Sequence, residues 1–150
     1  MDCFPDTSFL CSRYRNQVFT PRAIAWMEQC TEPLPVSTLL LLEFRQSVRL
    51  QVRLHRQDRT KGYGEREAVA MLRDLQFDLS HRLIEVRPVD WADVHQLAER
   101  LSATHTTDGG HRLADILHVA TALHLGMEGF LTFDDRQRKL AEAVGLVVAV

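Results

Sequence analysis

Asp115 stands out of place. In RLADILHVATALHL it is the one acid in a helical pattern that is otherwise mostly apolar, and a buried carboxylate without a partner costs several kcal/mol. Such a residue asks for a cation, a basic partner or a raised pKa, and we read it as a metal ligand. The residues after this segment point the same way: Gly126 and Gly129 release the chain into a short apolar run, Phe130 to Phe133, which leads straight into Asp134 and Asp135. Two more acids hold comparable places, Asp6 behind the short lead CFP and Glu43 within STLLLLEFR. If Asp6, Glu43, Asp115 and Asp134 meet, their repulsion is tolerable only with cations present, and oxygen-only ligands select Mg2+ or Mn2+ over zinc or copper. One ion would lower the pKa of a water and make hydroxide the nucleophile, and a second, about 4 Å away, would stabilise the departing oxygen. That is the chemistry of metal-assisted phosphodiester cleavage. Each acid also has a plainer account: Asp6 suits a helix N-cap, Glu43 interacts well with the positive end of a helix, and surface acids are common.

Positioning these acids falls to strands that alternate with helices. A brief strand ends at Asp6 and a helix starts at Ser8; Pro21 opens a second helix, RAIAWMEQC, with Ile24, Met27 and Trp26 on its buried side. A strand spans Leu34 to Val36. Ser37 then caps the longest helix, which runs from Thr38 to about Arg56 with Leu41, Phe44, Val48 and Val52 on one face. Gln57 to Gly64 reads as a loop, and Glu65 to about Leu75 as a helix packed through Val69 and Leu72. Leu83 to Val86 is a strand; Trp91 to about Ala103 is a helix, and His105, Thr106 and Thr107 form a loop. A helix from about His111 to Leu125 packs through Leu113, Ile116, Leu117, Ala120 and Leu123. After the strand Phe130 to Phe133 come a last helix, Arg136 to about Val144, and a strand, Leu146 to Val150. Apolar runs too short for helices, alternating with helical patterns, imply a three-layer α/β/α sandwich with a mainly parallel central sheet. In such sheets functional residues gather at the carboxyl ends of strands, beside the point where strand order reverses.

The 150 residues fit one domain, 1–150, with 45% hydrophobic residues to build its core. A net charge of -2 argues against wholesale attraction to nucleic acid. It leaves room for a local stripe, and Arg45, Arg49, Arg53 and Arg56 share one side of the long helix, as a solvated face or an RNA track. Three cysteines without a Cys-x-x-Cys pair favour reduced thiols and a cytoplasmic location. No run approaches the roughly 20 apolar residues that a membrane span needs, and the start MDCFPD lacks a basic leader.

Four stretches carry a family likeness: PDTSFL, STLLLLEFR, RLADILHVATAL and FLTFDDRQRKLAEAVGL. Together they resemble the PIN-domain nucleases, specifically the VapC-like toxins of bacterial type II toxin–antitoxin modules, across essentially the whole chain. The last third is the most specific part, and residues from about Arg56 to Leu101 add little. The resemblance implies a Mg2+- or Mn2+-dependent endoribonuclease that cleaves RNA. It also implies an antitoxin partner whose C-terminal segment occupies the active-site groove, a homodimer, and promoter DNA bound only through the antitoxin complex. Carried over by position, the catalytic and metal-binding acids are Asp6, Glu43, Asp115 and Asp134. Ser8 and Thr132 match small hydroxyl positions that orient a carboxylate or water. Arg112 matches an arginine one helical turn before the third acid, where it contacts phosphate or makes a structural ion pair. Asp135 departs from the pattern at a variable position and reads as a surface residue.

His118, three residues after Asp115, suggests a zinc ligand or a general base, but no second histidine shares its local spacing, so a packed role orienting the acids is favoured. Other readings keep the same acids with a different use: a nuclease acting on other RNA or on DNA, or an inactive PIN scaffold. A receiver-like signalling domain fares worse, because it wants a lysine after a late strand and the only late lysine, Lys139, lies in a helical pattern.

Overall fold

A computed structural model describes residues Met1–Val150. Its strands are β1 (Cys3–Pro5), β2 (Leu34–Val36), β3 (Ile84–Val86), β4 (Gly129–Leu131) and β5 (Val147–Val148). The helices are α1 (Thr7–Tyr14), α2 (Thr20–Gln29), α3 (Thr38–Gln57), α4 (Glu65–Ser80), α5 (Trp91–Gly109), α6 (Leu113–His124) and α7 (Asp135–Ala143). Every strand pairing is parallel: β1 and β5 flank β4, β2 pairs with β3, and β1 runs beside β2. Hydrogen bonds join β1, β4 and β5 into one sheet and β2 and β3 into another, and with β1 lying beside β2 the strands follow one another in space as β3-β2-β1-β4-β5, the doubly wound order, in which the chain reverses direction between β1 and β4. Helices α1–α4 pack among themselves and so do α5–α7, which makes the layered α/β sandwich that the alternating pattern implies.

The centre of the sheet is tight. Phe4 and Phe130 face each other in register, both fully buried, with Leu131, Phe9 and Leu10 packed around them. Gly129 is required by that closeness: a Cβ there would lie 2.4 Å from Cys3 Sγ and 3.2 Å from the Val147 carbonyl oxygen.

Helix starts follow the capping residues. Asp6, Ser37, Asp90 and Asp134 each accept a backbone N–H from the first turn of the helix they precede. Several helix faces differ from the sequence expectation. In α4 the buried residues are Ala68, Met71, Leu75 and Asp78, while Val69 is 59% exposed. That face is offset by one residue, about 100° of helical rotation. In α2, Ile24 is exposed and Ala23 is buried; in α6, Leu113 is 73% exposed at the first helical position. The expected loop at His105–Thr107 is helix, because nothing breaks α5 until Gly110, which takes the left-handed conformation (φ 65°) that ends helices. Of the apolar run Leu146–Val150 only Val147–Val148 join the sheet, since β4 offers them just two paired positions.

One buried charge ties α1 to α4. Asp78 Oδ2 accepts from Tyr14 Oη at 2.8 Å and from an Arg13 guanidinium nitrogen at 3.1 Å. Burial, followed by the Asp78 carboxylate, holds the Tyr14 phenol protonated. Asp78→Ala would strand both donors, Arg13 only partly because its side chain is 27% exposed. We expect a loss of about 2 to 3 kcal/mol, read as a fall in Tm of roughly 5 to 10 °C by calorimetry.

Candidate functional site

The reversal point between β1 and β4 holds the acids. Asp6 directly follows β1 and caps α1, 2% exposed. Its Oδ1 accepts from Ser8 Oγ at 2.6 Å and Phe9 N at 3.0 Å, and its Oδ2 from Thr132 Oγ1 at 2.6 Å. Both hydroxyls are used twice: Ser8 Oγ accepts from Phe133 N at 2.9 Å, and Thr132 Oγ1 accepts from Asp134 N at 3.0 Å. The end of β4 is thereby stitched to the end of β1. Burial pushes the Asp6 carboxyl up, against these hydrogen bonds, which pull it down.

Asp134 caps α7. Its Oδ1 accepts from Arg136 N at 2.8 Å and Gln137 N at 2.9 Å, which leaves Oδ2 without a protein donor. Phe133 beside it is braced by Phe19, whose ring stacks on it with centroids 4.7 Å apart. Glu43 reaches in from the second turn of α3, and its Oε2 accepts from His118 Nε2 on α6. Burial raises the Glu43 carboxyl, but the bond to His118 and the imidazole charge outweigh it, and the net direction is down. Asp115, in the first turn of α6, accepts from Gln137 Nε2 at 3.3 Å. Its carboxyl is pushed up by burial first, then by Asp134, with Glu43 adding to both.

These side chains surround a cavity of about 150 Å³ walled by Asp6, Thr7, Ser8, Glu43, Asp115, His118, Asp134 and Gln137. No lysine, arginine or apolar residue lines it. All four acids that the sequence singles out are therefore brought together, with Ser8 and His118 in the same wall and Thr132 behind Asp6. Arg112 and Asp135 are not in it: Arg112 is exposed before α6 and forms no ion pair, and Asp135 is exposed at the start of α7. Gln137 and Thr7 are additions. Thr7 lies between two residues already singled out, and Gln137 occupies the third helical position after an N-cap aspartate, where Gln or Glu often reaches back. A larger groove of about 770 Å³ adjoins the cavity at Asp134, with His105, His111, Arg136 and Lys139 on its walls.

The family model for the PIN domain matches residues 3–143. This chain belongs to the PIN family. PIN domains are nucleases and generally use divalent metal ions. Two solved structures share the fold over nearly their whole length. VapC20 of Mycobacterium tuberculosis, a sarcin-ricin loop cleaving toxin, is 20% identical with a TM-score of 0.66, covering 97% of this chain and 96% of its own. FitAcB from Neisseria gonorrhoeae is 18% identical with a TM-score of 0.64, covering 97% and 95%. No curated protein matches the chain by sequence.

The residues of this PIN domain fit a hard divalent cation in kind. Four carboxylates share one small polar cavity, Asp134 Oδ2 is free, and the only basic neighbour, His118, is engaged by Glu43. No three His, Cys, Asp or Glu side chains stand close enough to grip one ion directly.

Proposed function

We propose that this PIN domain, residues 1–150, is a Mg2+- or Mn2+-dependent endoribonuclease acting as the toxin of a toxin–antitoxin module. The observation that carries this reading is the meeting of Asp6, Glu43, Asp115 and Asp134, from four separate elements, around one cavity without lysine or arginine. When bound there, a divalent ion supplies Lewis acidity that makes water nucleophilic near neutral pH and offsets charge on the phosphodiester. The chain's own residues do the rest. Ser8 and Thr132 hold the Asp6 carboxylate by both oxygens, the first turn of α7 holds Asp134 by one oxygen, and His118 fixes Glu43. Arg112, exposed one turn before Asp115, supplies a bidentate donor for a substrate phosphate outside the cavity. The working form is a cytoplasmic homodimer. An antitoxin inhibits it by laying its C-terminal segment in the groove, and promoter DNA is reached only through that complex. Family membership and the fold shared with VapC20 support RNA as the substrate.

Expression of the chain alone is expected to arrest growth, and co-expression of an antitoxin encoded beside it to restore growth. Mapping RNA ends after controlled expression should show a few discrete new termini that disappear in the Asp115→Asn variant. Growth arrest with intact RNA would overturn the ribonuclease reading. Arg112→Ala should raise KM for RNA several-fold with kcat nearly unchanged, as loss of uniform binding does.

A further inference from the structure

Gln137 touches two of the acids without being one of them. Its backbone N–H donates to Asp134 Oδ1 at 2.9 Å, and its side-chain Nε2 donates to Asp115 Oδ1 at 3.3 Å. The residue is 2% exposed and lines the acidic cavity, yet its Oε1 is buried with no hydrogen-bond partner. The amide orientation follows from chemistry, because the Asp115 carboxylate is an acceptor and the nitrogen must face it.

A buried glutamine with an unmade acceptor is an unfavourable choice on the inner face of a helix, where its buried companions in α7 are Leu140 and Ala141. A leucine would pack the same place without an orphaned oxygen. His118, in the same wall, likewise has Nδ1 buried and unpartnered. Unmet polar atoms therefore collect around the one cavity that the acids share, which at about 150 Å³ has room for several waters at roughly 30 Å³ each.

We infer that Gln137 is a positioning residue of the metal site: its two N–H groups hold Asp115 and Asp134 at a set separation, and Oε1 accepts a hydrogen bond from a water that hydrates the cation. This rests on the nuclease reading above. Such outer partners align the donors they touch, and their loss typically weakens metal binding by about 10- to 100-fold.

The test uses the full chain with Gln137→Leu and Gln137→Met, both of which keep the side-chain bulk and remove both polar atoms. Mn2+ titrated by calorimetry should show Kd raised about tenfold, while Tm stays at or above that of the parent because an orphaned oxygen has gone. Cleavage should lose kcat with KM for RNA unchanged. In an Asp115→Asn background the added loss of Mn2+ affinity from Gln137→Leu should shrink to near nothing, since the two act as one unit. Mn2+ affinity within about twofold of the parent in both variants overturns the inference and leaves the nuclease reading standing. So does a loss fully additive with Asp115→Asn, or unfolding of both variants, which would make the role purely structural. A parent chain that binds no Mn2+ overturns both readings together.

Discussion

Asp6→Asn is expected to abolish RNA cleavage, by a factor of about 10³ or more, without unfolding the protein. Both halves of that expectation come from the same geometry. The carboxylate accepts from Ser8, Phe9 and Thr132, and an asparagine oxygen placed at Oδ1 keeps the two bonds that start α1. The amide nitrogen then faces Thr132 Oγ1, a hydroxyl that can turn to accept instead of donate. What is lost is charge. The ionised form is disfavoured by complete burial, which pushes the carboxyl up, so a neutral amide relieves the folded state. Asp115→Asn follows the same logic, since burial and then Asp134 push that carboxyl up. Tm should therefore hold or rise while activity disappears, the opposite signs that a site kept for function at the expense of stability displays. Wild-type-like, metal-dependent cleavage by both variants would sink the assignment.

Mg2+ or Mn2+ should raise the Tm of the wild-type chain, and chelation should reverse the gain and stop cleavage. Four carboxylates crowd one cavity, and a cation bound only by the folded state stabilises it by mass action. At 100 times Kd the gain is about 2.7 kcal/mol, or roughly 5 to 10 °C for a chain of this length. The Asp6→Asn, Asp115→Asn double variant should show almost none of it, because two of the charges that attract the ion are gone. NaCl at matched ionic strength controls for general screening, which acts at the surface on both proteins alike. A wild-type Tm that moves no more with Mg2+ and Mn2+ than with NaCl would remove the metal site from the account.

The acids are legible in the sequence because each stands at a junction where residue type is informative. Asp6 is the helix cap that its plainer account makes it, Asp134 caps α7 in the same way, and both also face the cavity, so capping and a place in the site do not compete. Glu43 and Asp115 show themselves by being charged among leucines. The helix faces are harder to read. In α4 the choice between Val69 with Leu72 and Ala68 with Met71 turns on one residue of phase, and small residues such as Ala68 and Ala23 carry little hydropathy with which to mark an inner face. The length of α5 is hidden because His105–Thr107 is polar, yet polarity alone does not end a helix; Gly110 does. Gln137 is marked in the sequence only by its third place after the capping Asp134, a place that a surface glutamine fills equally well. Its place depends on how α7 sits against α6, a relation between residues 22 positions apart.

The stitch between β1 and β4 also sets the order in which the pocket can exist. Asp6 and its partner Thr132 are 126 residues apart, and everything between them must be synthesised before they meet. A nascent or truncated chain ending before Thr132 carries Asp6, Glu43 and Asp115 but lacks the hydroxyl that closes the second oxygen of Asp6, Asp134 and the whole of α7. Such fragments should be inert even where they are partly folded. The pocket is thus complete only once Thr132 and α7 have emerged, a delay that is written into the strand order.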